Sequence, residues 1–239
     1  MPMNIYELED RPDQSGSWFD QDSKQLFIKN AKSQPASWRY RNIGVSYRLN
    51  SMGYRTQEFD RIPWHKCIVL FGCSYIFGVG CELSSTIAAQ LSGMTGRPVI
   101  NMGAPGSSPM FSLHNSAKLK ALYPEPLAVV FSWSASQRCP LYLNDSVVHC
   151  GQWKEDIGGL GKAWRRFDHH NEEHLRMTRL TAQMMWSSTK YYDFTLYPSN
   201  RKAIDCDYIK QVDAARDLVH SGIVTNEIIA KKIAQSLDM

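Results

Sequence analysis

The sequence predicts an α/β fold, a three-layer α/β/α sandwich around a mainly parallel central sheet. Three observations predict it. Short apolar runs, "CIVLFG", "RPVINMG" and "LAVVFSW", break off at glycine or at a serine-rich stretch, the pattern of strands buried on both faces. The segments between them carry apolar residues at helical spacing. Strand, helix, strand, helix, strand at these lengths suits right-handed crossovers between parallel strands.

In chain order, residues 1–45 are polar and read as an irregular N-terminal arm that wraps the main domain, residues 46–239. "VSYRLNSMGYRTQEF" alternates around Tyr47 and Leu49 and turns at "NSMG", a short strand or hairpin. The run from Cys67 is the first core strand. "SSTIAAQLSGM" has Ile87, Leu91 and Met94 on one helical face, with Ser84 or Ser85 as N-cap. "RPVINMG" is the second strand, and "SSPMFSLHNSAKLKALY" the second helix, with Pro109 in its first turn. "LAVVFSW" is the third strand. Residues 137–190 are polar and rich in Trp, Arg and His, an insertion or lid. Within them "NEEHLRMTRLTAQMMWSS" has helical spacing at Leu175, Leu180 and Met184. "YYDFTLYP" is a fourth strand ended by Pro198, and "TNEIIAKKIAQSL" a final amphipathic helix capped by Thr225 or Asn226.

The totals bound the function. With 239 residues, 43% hydrophobic and 21% charged, the chain buries a substantial core without a disulfide framework. A net charge of +4 is too small and dispersed to argue for nucleic acid. The six cysteines contain no CxxC pair, which argues against structural zinc and suits a reducing compartment. No apolar stretch is long enough to span a bilayer, and "MPMNIYELEDRPDQSGSW" has no apolar signal core. The cytoplasm is the default location, and a virion-associated protein fits the same features. Nothing in the pattern asks for a cofactor.

Ligands of parallel α/β sheets bind at the carboxyl ends of the strands. Here those ends carry Gly72-Cys73-Ser74, then Asn101, Gly103 and Gly106, then Ser132, Ser134 and Ser136. A serine hydroxyl is a weak nucleophile without an adjacent base. "RDLVHSG" offers Asp217 and His220, three apart on one loop, so the carboxylate can orient the imidazole that faces a serine. Glycine at 106 leaves room for backbone N–H groups to converge on an oxyanion.

"GCSYIFG" resembles block I of the SGNH (GDSL-like) hydrolases, with Cys73 in place of the usual aspartate. "VINMGAPGSS" resembles their block II, its glycine being Gly106, and "RDLVHSG" their DxxH block V. The upstream "YRLNSMGYRTQEF" is similar to an Asn-x-x-Gly-[Tyr/Phe]-Arg segment of some relatives. The resemblance spans residues 45–236 in the family's order. It implies a serine esterase acting on a small acyl ester, such as acetyl, on a carbohydrate or similar small alcohol. In it Ser74 is the nucleophile, His220 the base, and Asp217 the group that fixes the imidazole. The oxyanion hole would use Ser74 and Gly106, helped by Ser134 or Ser136. One departure matters. Block III of the family is GxND, and its asparagine completes the oxyanion hole, whereas "FSWSASQR" has no asparagine. Losing one such donor costs about 100- to 1,000-fold in rate. Two other readings stay open: a binding module that kept the fold, and an O-acyltransferase using the same triad. Sequence leaves the oligomeric state unspecified.

"FDHHNEEH" places Asp168, His169, His170 and His174 close in sequence. With no HExxH and no further ligand set, a solvated helix start explains them. "KAWRRF" reads as a surface patch, and Trp133, Trp153, Trp164 and Trp186 as core or lid residues with carbohydrate stacking as the alternative.

Overall fold

The computed structural model of the chain describes residues 15–19, 21–143, 146–151 and 159–239. Before the main sheet come β1 (Ser15–Gly16), α1 (Lys24–Ser33) and β2 (Tyr47–Arg48). There follow β3 (Ile68–Gly72), the single turn α2 (Ser74–Phe77), α3 (Ile87–Thr95), β4 (Val99–Gly103), α4 (Pro109–Leu122) and β5 (Ala128–Trp133). Then come β6 (Cys139–Leu143), β7 (Ser146–Cys150), α5 (Leu160–Arg165) and α6 (Asp168–Met185). The chain closes with β8 (Lys190–Thr195), β9 (Asp207–Tyr208) and α7 (Ile223–Ser236).

The central sheet has the order β4-β3-β5-β8-β9, and all four pairings are parallel. Side chains alternate across it, as strand geometry demands. Ile68, Leu70 and Val130 face α3 and α7 through Ile87, Leu91, Ile229 and Ile233. Val69, Phe71, Val129 and Phe131 face α4 and α6 through Leu113, Leu119, Leu175 and Ala182. The three-layer α/β/α sandwich is therefore present. Each such buried side chain stabilises the fold by about 1.5–3 kcal/mol. In chain order the strands run 2-1-3-4-5, so the winding reverses at β3 and opens a crevice at its carboxyl end.

Several elements begin or face differently from the sequence expectation. Thr86 caps α3, accepting from Ala89 N–H at 3.2 Å, while Ser84 and Ser85 lie in a preceding 3-10 turn. The α7 helix starts at Ile223, ahead of Thr225 and Asn226. Asp213 supplies its cap from a distance, accepting from Val224 N–H at 3.0 Å and Thr225 N–H at 2.8 Å; a carboxylate suits the positive end of the helix. On α6 the buried face is Asn171, Leu175, Thr178 and Ala182, whereas Leu180 and Met184 are 48% and 70% exposed. Met94 is likewise exposed. The fifth strand, β9, has only two residues and gave no sequence signal.

Within 137–190, β6 and β7 form an antiparallel hairpin, and α6 belongs to the outer layer of the sandwich. Trp133 and Trp186 are core residues, while Trp153 lies outside the described residues. Part of the 1–45 arm also lies outside them. Its described portion packs on the main domain: Phe19 stacks on Phe77 at 4.6 Å, and β1 pairs with β2. Asn50 shapes the "NSMG" turn by accepting from Met52 and Tyr54 N–H. The buried Arg55 then donates to the carbonyls of Ser46, Gly78 and Cys81, fixing the loop that follows α2. Among the described residues no helix is long and apolar enough to cross a membrane.

Candidate active site

Ser74 is the first residue of α2, two residues beyond the end of β3. The position is possible because two glycines let backbones close in. A Cβ on Gly72 would lie 2.6 Å from Ile76 Cγ1, and one on Gly103 2.4 Å from the backbone nitrogen of Phe77.

Ser74 Oγ lies 2.7 Å from His220 Nε2. His220 Nδ1 makes a short hydrogen bond to Asp217 Oδ2. Asp217 Oδ1 accepts from the backbone N–H groups of Val219 at 3.1 Å and His220 at 3.0 Å. Burial pushes the Asp217 carboxyl up, but the hydrogen bond and charge of His220 and these two N–H donors outweigh it, and its pKa falls below the ordinary aspartate value. With Asp217 ionised, Nδ1 carries the imidazole proton, and Nε2 accepts from the Ser74 hydroxyl. All three side chains are buried. Their loop is tightly wound: Leu218 has φ 62°, Ala215 N–H bonds His220 O at 2.8 Å, and Arg216 N–H bonds Gly80 O at 3.1 Å. Strain of this kind persists where surrounding structure enforces it.

Gly106 occupies a type II turn. Ser107 N–H bonds Ala104 O at 3.1 Å, Pro105 precedes it, and Gly106 has φ 77°, the geometry that requires glycine there. The turn is docked on the end of β3 by Ala104 N–H and Ser107 Oγ, both donating to Gly72 O. Among the described residues, the N–H groups of Ser74 and Gly106 have no protein acceptor.

The serines after β5 stand differently. Ser134 donates its hydroxyl proton to Ser107 O at 2.9 Å. The N–H of Ser136 donates to Asn200 Oδ1 at 3.3 Å. Asn200 is itself fully buried and committed to the carbonyls of Trp133 and Ser134.

Sequence reasoning missed three neighbours of the site. Tyr75 sits edge-on to His220 at 5.1 Å and to Tyr197 at 5.9 Å between ring centroids. Tyr197 Oη accepts from Arg138 Nη2 at 2.7 Å and lies 3.7 Å from Cys73 Sγ. Burial, with Cys73 next, raises the Tyr197 pKa well above the usual phenol value, so its hydroxyl stays protonated. An arginine just past a buried strand end was the available signal.

The other sequence candidates are not drawn together. Among the described residues no group of three His, Cys, Asp or Glu side chains is arranged to hold a metal. His170 and His174 pack edge-on against Trp164. Together with Met110, Leu141 and Phe167 they line an apolar cavity of about 640 Å³. His114 also lines it, and burial lowers the pKa of His114 and of His174, which favours their neutral forms. All six cysteines are free thiols.

No protein-family model and no curated protein matches the chain. Solved structures it is similar to include lipolytic proteins of the GDSL type and a carbohydrate esterase. A lipolytic protein of the G-D-S-L family from Desulfitobacterium hafniense DCB-2 shares 11% identity over 72% of this chain and 99% of that one, with a TM-score of 0.46. A carbohydrate esterase family 2 enzyme with a carbohydrate-binding domain, from Corynascus thermopiles (Myceliophthora fergusii), shares 12% over 73% and 67%, with a TM-score of 0.45. A GDSL-like lipase from Bacteroides thetaiotaomicron VPI-5482 shares 12% over 74% and 90%, with a TM-score of 0.39.

Proposed function

We propose that the protein is an SGNH-type serine ester hydrolase. The observation that carries the reading is the unbroken hydrogen-bonded line from Ser74 through His220 to a buried, ionised Asp217. Ser74 Oγ attacks the ester carbonyl as His220 Nε2 takes its proton. The carbonyl oxygen becomes an oxyanion held by the N–H groups of Ser74 and Gly106. Collapse expels the alcohol, which leaves with the proton from His220. Water then repeats the sequence on the acyl-enzyme. Ser134 braces the Gly106 turn in this scheme, and the Ser136 hydroxyl is the remaining serine donor near it.

The acyl group in this reading is small, because Tyr75, next to the serine in sequence, packs edge-on against both His220 and Tyr197. The apolar cavity beside α4 and the hairpin has the size of a small-molecule site, but Ser74, Asp217 and His220 do not line it. The near-complete burial of Ser74 and His220 also favours a second reading, O-acyl transfer to an acceptor hydroxyl in place of water.

The test is p-nitrophenyl acetate turnover and fluorophosphonate labelling of the full chain. Label on Ser74, and turnover that disappears in Ser74→Ala, supports the hydrolase. Labelling without hydrolysis, but with acyl transfer to added sugars, selects the transferase. No label and no turnover leaves a binding module with an inert serine.

A further inference from the structure

The loop that carries Asp217 and His220 is held from outside the sheet. Asp22, in the N-terminal segment ahead of α1, is 1% exposed, and its carboxylate takes two partners. Arg216 Nε donates to Oδ1 at 2.8 Å and Nη2 to Oδ2 at 2.6 Å, the two-pronged geometry that fixes a guanidinium in direction as well as distance. Tyr47 Oη donates to Oδ2. Burial first, and then the Asp22 charge, raise the Tyr47 pKa far above the ordinary phenol value, so the phenol keeps the proton it donates.

Both partners end on one residue. Tyr47 Oη accepts from Gly80 N–H at 2.7 Å, and Arg216 N–H donates to Gly80 O at 3.1 Å. Gly80 lies on the turn that leaves α2, the helix that begins at Ser74. Arg216 immediately precedes Asp217. The Asp22 carboxylate thus joins the loop of the nucleophile to the loop of the base. The two loops approach closely: a Cβ on Gly80 would lie 2.8 Å from Ala215 Cβ and 3.1 Å from the backbone nitrogen of Arg216. The N-terminal segment grips Arg216 at further points. Its carbonyl accepts from Asn30 Nδ2 at 3.3 Å, its Nη2 donates to Ser17 O, and its guanidinium carbon lies 4.1 Å from the Trp18 ring centroid.

Stability alone does not call for such a network. A buried ion pair gives little net stability beside apolar side chains of the same size. A loop that holds Leu218 at φ 62°, and keeps His220 Nε2 2.7 Å from Ser74 Oγ, does call for an outside restraint. We propose that Asp22 is a positioning residue of the candidate site, setting His220 against Ser74 through Tyr47 and Gly80 on one side and Arg216 on the other; this rests on the serine-esterase reading of Ser74. Asp22 touches neither substrate nor the reacting atoms and exchanges no proton. Its loss lets the Ser74–His220 line drift, and a displacement of about 1 Å costs up to about 100-fold in rate. Substrate binding is untouched, so the loss falls on kcat.

The experiment compares wild type, Asp22→Asn, Asp22→Asn paired with Arg216→Met, and Tyr47→Phe in the full chain. It reads p-nitrophenyl acetate kinetics, the urea midpoint, and the far-downfield proton NMR resonance of His220 Nδ1–H, which reports the hydrogen bond to Asp217 whether or not ester is turned over. Asp22→Asn is expected to lower kcat by about 10- to 100-fold with KM within about threefold. The paired variant has no unpartnered buried cation, so its urea midpoint returns toward wild type, while kcat stays low and the resonance stays weakened. An ion pair that is only structural gives the opposite pattern: kcat of the paired variant returns with its stability to within about threefold of wild type, and that result overturns the proposal. If the Asp22 variants do not fold, Tyr47→Phe decides, since it removes only the hydroxyl between Asp22 and Gly80: kcat about tenfold lower at unchanged KM supports the proposal, and kcat within about threefold of wild type overturns it. If wild type is neither labelled by a fluorophosphonate at Ser74 nor active on the ester, the esterase reading falls, and the resonance then judges the clamp separately. Present in wild type and lost in the variants, it upholds the positioning of His220 by Asp22; absent from wild type or unchanged in the variants, it overturns that as well.

Discussion

At Asp217 two opposed effects act on one carboxyl. Burial favours the neutral acid, while His220 and two backbone N–H groups favour the anion and win. Because the folded pKa is depressed, the stabilisation it brings is present above the ordinary aspartate pKa of about 3.9 and is lost as pH falls through the folded value. The Tm advantage of wild type over Asp217→Asn should therefore be full at neutral pH and shrink below pH ~4 in a thermal-melt series; an advantage that stays constant into acid would refute the ionised carboxylate. On activity, Ser74→Ala and His220→Ala should each lower p-nitrophenyl acetate turnover by about 10⁴-fold while leaving the far-UV circular dichroism spectrum intact. Ser74, Asp217, His220 and Gly106 were legible in the sequence because each sits in a short local pattern. Arg138 and Tyr197 were not, because their contacts join segments 31 to 124 residues apart, and no local pattern encodes such a meeting.

The elements show where local chemistry suffices and where it does not. β3, β4 and β5 are continuous apolar runs and form where expected, since a strand covered on both faces needs no partner-specific code. The start of α7 was misread because its cap is Asp213, held in place by the loop and not by the helix's own first turn. The α6 stripe was misread because Leu180 and Met184 look like core residues by type, while the helix turns Asn171 and Thr178 inward instead. The approach of α2 to β4 is set by one glycine. Gly103→Ala should destabilise the protein by about 1–3 kcal/mol in urea titration, because the added Cβ meets backbone that cannot give way. An unchanged midpoint would mean that the two elements do not pack so closely.

On the scale of the whole molecule, the N-terminal segment and the sheet are joined by a buried ion pair. Arg216 Nε and Nη2 bond the two oxygens of Asp22 at 2.8 and 2.6 Å, and both side chains are almost fully buried. Arg216 is also the residue before Asp217, and Asn30 of α1 donates to its carbonyl at 3.3 Å. Asp22→Asn leaves a buried cation without its partner and should cost about 3–5 kcal/mol in chemical denaturation. Pairing it with Arg216→Met should return part of that loss. Trp18 and Trp38 report on the N-terminal segment, and circular dichroism reports mainly on the sandwich. Their unfolding curves should coincide; separated transitions would show the arm to be an independent unit.

By itself the sequence determined the layered α/β class, the order of the core strands and helices along the chain, and the serine, aspartate and histidine of the candidate site. Those features follow from hydrophobic periodicity and from residue types a few positions apart. Only the tertiary structure decided the spatial order of the strands, with its reversal at β3, the Asp213 cap, the Asp22–Arg216 pair, and the Arg138 guanidinium that joins Ser107 to Tyr197. Each is a meeting of groups far apart in the chain. Such meetings arise when burial of the apolar runs closes the sandwich and brings the strand ends to one edge, and no local stretch of sequence carries that information.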